Sequence, residues 1–354
     1  MTNSNGHLTQ SRISRYLYKC RLLGVVLVLF VAPIVNAQSY SDSSQLDYFN
    51  SVQQLLFNDR FAAADSLNEV FIQNHPTDPA GYLFKASVML AVMTDREENL
   101  FEEEFKQLLD TVVILSEAVM DTCQPTTSAW MALWRGHAHT YGSLWESRFG
   151  STIGAVKQGY RAKGEYELGL AFDSSLSDLY MGLGPFHYWK SAKAGILRRL
   201  RLFRNDKDRG IAELRRAAES SLISKESARN GLIWIWLDMK EYDSAIVACR
   251  EMLQKYPDGK LFLWPLAQAY WLTENWTGCA ETYARLRKRL IPNPGNYFNL
   301  IECDYYLLQC YDRMQVPEKA RATAMEFLKY ESLVPEKTRG RQGSKMSALK
   351  QAAR

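Results

Sequence analysis

Residues 228–257 read ARNGLIWIWLDMKEYDSAIVACREMLQKYP, and this stretch predicts two helices joined by a short turn. The apolar run 232–237 belongs to the first helix, and Asp243 to Tyr256 forms the second. Ala245 falls where the two helices cross, because a small side chain there lets the backbones approach. Pro257 ends the second helix, since proline lacks an N–H and clashes with the preceding turn. One such hairpin buries too little apolar surface to be stable alone, so it predicts neighbouring hairpins.

The same residue types recur with a period of 34 residues. Cys279 lies 34 residues after Ala245, and each of them has an aromatic residue three places before it. Ala267 lies twelve residues before Cys279, as Ile233 lies twelve before Ala245. Related positions are Val52, Leu55, Phe61, Ala64 and Pro76 near the start, and Leu308, Tyr311 and Ala320 near the end. A period of this length indicates stacked helical hairpins.

This pattern resembles the tetratricopeptide (TPR) repeat, most clearly over residues 52–76 and 228–320. The resemblance implies an all-α fold, and we expect a right-handed α-solenoid of about seven TPR-like helix-turn-helix pairs over residues 38–333. Within it, residues 182–209 are expected to form an irregular insertion. The basic segment 334–354 is expected to be a flexible tail, either disordered or a frayed helix.

The middle of the chain has a second, weaker resemblance. Gly182-Leu183-Gly184 is followed by aromatic residues, a basic stretch and Asp208-Arg209-Gly210-Ile211. This order is similar to that of TPR-like proteins related to the inclusion-body clearance family. The resemblance implies a helical repeat with a non-catalytic role, and it implies no site residues.

Residues 1–37 are predicted to be a cleaved signal peptide, with an uncleaved N-terminal membrane anchor as the alternative. Basic residues precede an apolar run from Leu22 to Val35, and small residues precede Gln38. We therefore expect a periplasmic or secreted protein. The whole chain carries a formal charge of +4, and the leader holds four basic residues and no acidic one. The mature chain is then formally neutral, which gives no argument for a nucleic-acid partner.

No pattern in the sequence predicts catalysis, a metal or a cofactor. His137 and His139 are two residues apart on a predicted helix, so their side chains point in different directions and do not share an ion. The cysteines after the leader have no metal-type spacing and are interpreted as buried structural thiols. Cys303 and Cys310 are roughly 10 Å apart along one helix, too far for a disulfide. We expect a protein that is not an enzyme.

The leading hypothesis is a scaffold that binds a protein or peptide on its concave face. The first helix of each hairpin is rich in aromatic residues, and a helix buries only one stripe, so some rings should remain on the surface. The candidate partner-binding residues are Trp234, Trp264, Arg198, Arg199, Arg201 and Arg204. The four arginines are interleaved with apolar residues and are candidates for contact with an anionic partner or lipid surface. The alternative is an insertion that folds back on its own repeat and leaves the guanidinium groups in solvent. A glycan or small-ligand binder is the alternative, and exposed Trp130, Trp145 and Trp189 side by side would favour it.

Overall fold

The computed structural model describes residues 43–120, 123–193, 205–291 and 295–354, and the regular structure in these residues is helical. The helices are α1 (Ser43–Phe57), α2 (Phe61–Asn74), α3 (Pro79–Arg96), α4 (Glu102–Met120), α5 (Pro125–Phe149), α6 (Thr152–Phe172), α7 (Leu179–Lys193), α8 (Lys207–Ser220), α9 (Lys225–Met239), α10 (Tyr242–Lys255), α11 (Lys260–Leu272), α12 (Trp276–Leu290), α13 (Tyr297–Arg313), α14 (Pro317–Leu328) and α15 (Glu336–Ala353). A short 3-10 helix, Glu331–Leu333, precedes α15. Consecutive helices pair into hairpins from α1/α2 to α13/α14, so the predicted all-α class with seven pairs is confirmed for the described residues.

Five of the hairpin turns close in the same way. Lys240 follows α9 with φ 64. Its N–H donates to Leu237 O, and the N–H of Glu241 donates to Trp236 O. This pair of bonds satisfies carbonyls at the helix end that have no partner inside the helix. The equivalent positive-φ residues in the other four turns are Asp59, Glu97, Glu274 and Gln315.

The predicted repeat register is confirmed at the helix crossings. Ala245, Ala267 and Cys279 are all fully buried. The thiol of Cys279 donates a hydrogen bond to the carbonyl oxygen of Ala267 at 3.7 Å. This contact between a side chain of α12 and the backbone of α11 shows that the two helices approach closely. The small residues are therefore at the helix crossings, as the 34-residue spacing predicted.

The helices belong to two compact units. Of the described residues, unit 1 contains those within 43–52, 64–90 and 102–228, and unit 2 contains those within 53–63, 91–101 and 229–354. In unit 1, each helix from α4 to α8 packs on the next. In unit 2, the same holds from α10 to α15.

Unit 2 contains a polar cluster that local periodicity does not predict. Lys260 is 3% exposed, and its ammonium group pairs with Asp95 Oδ1 at 2.6 Å. The backbone N–H of Lys260 donates to Asp59 Oδ2 at 3.0 Å. The side-chain amides of Asn296 and Asn299 donate to the carbonyl oxygen of Asp95. Asp59 and Asp95, at two hairpin turns, are thus bonded to residues that lie 165 to 204 positions later in the sequence.

Two local expectations were wrong. Residues 182–193, predicted to be irregular, belong to helix α7, which contains Pro185. Segment 334–354, predicted to be flexible, forms α15, whose Met346 and Leu349 are buried against residues of α13 and α14. Both errors have one cause, since glycine and proline weaken a helix locally but tertiary packing outweighs that preference.

The signal peptide and the four candidate arginines lie outside the described residues, so these predictions stay predictions. No helix in the described ranges is both long and apolar enough to cross a bilayer.

Candidate partner-binding surface

Trp264 and Trp234, the two tryptophans predicted to contact a partner, are both half-buried. Trp264 packs against the core of unit 2, and its ring meets Tyr283 edge to face with centroids 6.2 Å apart. Trp234 packs against a smaller cluster formed by Leu237, Ala245 and Ala269. Each ring therefore contributes to the core with one part and presents another part to solvent.

Trp264 is the first member of a row of touching rings across α11, α12 and α13. Tyr283 stacks on Tyr306 with centroids 4.9 Å apart and an interplanar angle of 6°. Tyr306 meets Trp271 edge to face at 4.9 Å, and Trp271 meets Trp276 in the same way at 5.3 Å. We call these five residues, Trp264, Tyr283, Tyr306, Trp271 and Trp276, the aromatic track. Tyr283 is buried, and the other four rings are partly exposed.

Cations lie over both ends of the exposed part of the track. The guanidinium of Arg313 lies 5.4 Å from the Trp276 ring centroid. The ammonium of Lys345 lies 5.6 Å from the centroid of Tyr306 and 5.7 Å from that of Tyr305. A cation over an aromatic face is attracted by the electrons of the ring. The track is therefore an apolar surface with positive charge at its edge.

Helix α15 holds the Lys345 end of the track in place. Lys345 pairs with Glu302, and the side-chain amide of Gln342 donates to the same carboxylate oxygen at 3.1 Å. Arg341 pairs with Glu97 at 2.8 Å and stacks 4.1 Å from the Phe298 ring centroid. The predicted flexible tail thus supplies side chains that fix one edge of the candidate surface.

The phenols of the track are suited to contact and not to proton transfer. Burial raises the pKa values of Tyr283 and Tyr306 above the usual value of a tyrosine. Both hydroxyls therefore stay neutral at physiological pH and offer hydrogen bonds together with a large apolar face.

The tryptophans of α5 do not form the surface that a glycan binder requires. Trp130 and Trp145 are 2% and 5% exposed, and Trp130 lies with its centroid 5.3 Å from that of the buried Trp134. Their stripe belongs to the core of unit 1, and only Trp189 of the three named for this alternative is half-buried. The observation that would have favoured sugar stacking is not present in the described residues.

The two histidines of α5 have separate partners, as the helical geometry predicted. Nδ1 of His137 lies 3.0 Å from the hydroxyl of Tyr166, whereas Nδ1 of His139 lies 2.9 Å from Oε1 of Gln158. Burial lowers the pKa of His137 to about 4, so its ring is neutral in the folded protein. In the described part of the chain, no three His, Cys, Asp or Glu side chains are arranged to hold a metal ion.

One buried acid–base pair has the composition of a catalytic dyad. Nδ1 of His187 lies 2.6 Å from Glu213 Oε2, and Arg209 Nε donates to the other oxygen at 2.9 Å. The His187 side chain is 1% exposed, so a substrate in solution does not reach its ring. The ion pair of Arg135 with Glu165 at 2.9 Å is enclosed in a similar way. These groups connect α7 to α8 and α5 to α6, and the geometry supports a structural role.

Sequence reasoning found Trp264 but missed Tyr283, Tyr306 and Lys345. Tyr283 lies one helical turn after the register position Cys279, a spacing that places both on one face of α12. Tyr306 lies on α13 opposite Tyr283, so the repeat spacing could have predicted that these two rings meet. Lys345 could not be found, because segment 334–354 was predicted to be a flexible tail and not a packed helix.

No protein-family model matches the chain, and no curated protein matches it. Solved structures give distant similarities. The C-terminal part of a TPR repeat-containing protein from Cytophaga hutchinsonii is 15% identical and has a TM-score of 0.42, with 82% of this chain and 97% of that chain covered. The TPR domain of P58(IPK) is 15% identical with a TM-score of 0.18, and 81% and 83% are covered. The TPR-like class assigned here follows from the hairpins, turns and crossings described above.

Proposed function

We propose that the protein is a non-catalytic helical-repeat scaffold that binds a protein or peptide partner through the aromatic track of unit 2. The observation that supports this proposal is a continuous row of partly exposed rings on three successive helices. Tryptophan and tyrosine are enriched at the energetically important centres of protein interfaces. Their rings give large contact areas and lose little conformational entropy on binding.

The ring contacts favour a preorganised binding surface. Each ring of the track touches another ring, and Tyr283 is also enclosed by the core. A partner would therefore not need to order these side chains when it binds, which reduces the entropic cost of association. Loose aromatic residues on a surface would not have this advantage.

The charge at the edge of the track indicates the chemistry of the partner. Arg313 is exposed and forms no ion pair within the described residues, so it can bind a carboxylate. We infer a partner segment with apolar or aromatic side chains for the track and an acidic residue for Arg313. Charged contacts of this kind fix the orientation of a partner and accelerate its association more than they raise affinity.

We further propose that the track lies on the concave face and that the protein acts outside the cytoplasm. Three of the five track residues support this placement, because Trp264 and Trp271 are on α11 and Tyr306 is on α13, which are first helices of their hairpins; Tyr283 and Trp276 are on the second helix α12. Export rests on the leader composition alone. N-terminal sequencing of protein from the native cell envelope should begin at Gln38, and retained Met1 would contradict the cleaved leader.

The binding proposal is tested with the double variant Trp264→Ala/Trp271→Ala. The purified full chain serves as bait for the exported fraction of its source cells, and captured proteins are identified by mass spectrometry and then titrated. Removal of two ring contacts should weaken binding of the specific partner at least about tenfold.

Trp189→Ala is the matched control, because it removes another half-buried tryptophan that lies outside the track. It should capture the same partner as the unsubstituted chain. Equal capture by the double variant, with a normal circular dichroism spectrum, would show that the track is not the binding surface.

A further inference from the structure

Two thiols face each other between helices α12 and α13. Cys279 and Cys310 are both fully buried in the core of unit 2, and each thiol shifts the pKa of the other. They lie 31 positions apart in the sequence, on different hairpins, so their proximity is a property of the fold.

The register of the two antiparallel helices supports this pairing. One turn after Cys279 on α12, Tyr283 stacks on Tyr306 of α13. One turn further, Arg287 Nε donates to Asp304 Oδ1 at 2.5 Å. Three successive turns of α12 thus meet α13 at matching levels, and the cysteine pair is the one with small side chains. Close approach of two such backbones is what a disulfide requires.

The other buried cysteines of unit 2 differ from this pair. Cys303 is on the same helix as Cys310 and roughly 10 Å from it along the helix axis. Cys249 lies on α10, and burial alone raises the pKa of its thiol to about 12. For the facing pair, the interaction between the two thiols in the folded protein raises the pKa of Cys279 and lowers that of Cys310.

We propose that Cys279 and Cys310 form a disulfide when the chain folds in the presence of a disulfide donor such as glutathione disulfide. The thiolate of one cysteine attacks one sulfur of the donor, and one glutathione thiolate leaves. The other cysteine then gives up its proton and attacks the protein sulfur of this mixed disulfide, which releases the second glutathione. Two protein thiols lose two electrons, and the donor S–S bond gains them and ends as two thiols.

This inference is independent of the proposed function, although it bears on the same helices. Because both sulfurs are enclosed in the folded protein, exchange takes place before α12 and α13 have closed on each other. An oxidising compartment, as export would provide, supplies such a donor. The bond would join α12 to α13 one turn away from the Tyr283–Tyr306 stack and would hold the aromatic track at its centre.

The test begins with the full chain, reduced and unfolded, then refolded in a mixture of reduced and oxidised glutathione. After quenching in acid, free thiols are alkylated under denaturing conditions and counted by intact mass. The expected result is two fewer alkylated thiols than the six cysteines of the chain. Alkylation of all six would overturn the proposal.

Peptide mapping needs a further variant, because Cys303 and Cys310 fall in the same tryptic peptide between Arg289 and Arg313. Cys303→Ala should keep the cross-link to the Cys279 peptide, whereas Cys310→Ala should lose it. The melting temperature of oxidised Cys303→Ala should fall when a reductant is added, and that of Cys310→Ala should not change. A cross-link that survives in Cys310→Ala, or is lost in Cys303→Ala with normal helicity, would assign the bond to another pair and refute the proposal.

Discussion

Helices α5 to α8 of unit 1 and α10 to α13 of unit 2 pack with the same hairpin architecture but place their aromatic rings differently. In unit 1, Tyr166 is fully buried, and glycines stand where its ring meets the neighbouring helices. A Cβ atom at Gly136 or Gly182 would lie only 2.4 or 1.9 Å from ring atoms of Tyr166. In unit 2, helices α11 and α12 cross at the small residues Ala267 and Cys279, and the rings of Trp264, Trp271 and Trp276 are only partly buried.

The same type of helical hairpin can therefore either enclose an aromatic ring between its helices or leave the ring partly exposed beside a close helix crossing. A ring enclosed between helices, with its hydroxyl 2.8 Å from Thr140 Oγ1, fixes the distance between those helices and is not available to a partner. A ring beside a close helix crossing stabilises the core and remains accessible. The turns differ as well, since the five positive-φ residues of hairpin turns all belong to unit 2, while α5 of unit 1 ends at Gly150 with φ −109.

The largest expected effect is that of Gly182→Ala in unit 1. The added methyl group would overlap the Tyr166 ring, which cannot retreat because Gly136 approaches its other edge. We expect a loss of about 3 kcal/mol or more in the free energy of unfolding, measured by urea titration. Gly164→Ala on α6 is the control, since a Cβ there meets nothing within 4 Å and should stabilise the helix by about 0.5–1 kcal/mol. Equal effects of the two substitutions would refute the enclosed-ring description.

The second prediction tests the crossings of unit 2. Ala267→Trp forces a large side chain between α11 and α12, where Cys279 Sγ is 3.7 Å from the Ala267 carbonyl oxygen. The cost should be about 2–3 kcal/mol, visible as a lower midpoint of urea unfolding. Exposed Lys255→Trp should be nearly neutral. A neutral Ala267→Trp would mean that the repeat register is wrong.

The third prediction is that pH acts with opposite sign on the two units. The lowered pKa of His137, about 4, means that the folded state resists protonation, so its stabilising contribution is lost as pH falls from about 6.5 towards 4. Burial raises the pKa of Asp59 to about 6, despite its proximity to Lys260, so its contribution is present below about pH 4 and is lost as pH rises through 6.

This prediction is measured as the difference in unfolding free energy between the unsubstituted chain and each variant at pH 7 and pH 4.5. Against His137→Gln, the unsubstituted chain should lose about 1–2 kcal/mol at the lower pH. Against Asp59→Asn, it should gain a similar amount, since the amide keeps an oxygen for the Lys260 N–H and removes the carboxylate. Slopes of the same sign would contradict the assigned burial of one of the two groups.

The smallest expected effect concerns the turns of unit 2. Lys240 has φ 64, a conformation that a side chain disfavours and glycine adopts readily. Lys240→Gly should therefore raise the melting temperature slightly, by the equivalent of about 0.5–1 kcal/mol. The exposed helical Glu251→Gly should instead lower stability by about 1 kcal/mol. Destabilisation by both would show that the Lys240 side chain makes a contact that outweighs backbone strain.

Sequence reasoning predicted the repeat and missed what lies far apart in the chain. The positions of Ala245 and Cys279 followed from a spacing that any helical hairpin imposes. The helicity of α7 and α15 did not follow, because their glycines and Pro185 are local signals for irregular chain. In α7 the glycine at 184 instead allows a close approach, with a Cβ there only 2.8 Å from Gly210 O.

For the candidate surface too, the sequence predicted the residue that depends on local spacing and missed those that depend on packing between helices. Trp264 was found because it lies beside a register position of its own helix. Its neighbours Tyr283 and Tyr306 come from other helices, and their stacking depends on the crossing distance between α12 and α13. Lys345 depends on the packing of α15, which no local pattern specifies.

The polar cluster around Lys260 has a consequence for how the chain folds. Hairpins form from neighbouring residues and are expected to form early, but the bond between Asp59 and Lys260 closes a loop of 201 positions. During synthesis, the turns at Asp59 and Asp95 leave the ribosome long before α11 exists. Unit 2 can therefore be completed only after nearly the whole chain has been made. A fragment starting at Arg229 would lack Asp95 and leave the Lys260 ammonium without this carboxylate, so the repeats of unit 2 form one late, cooperative folding step.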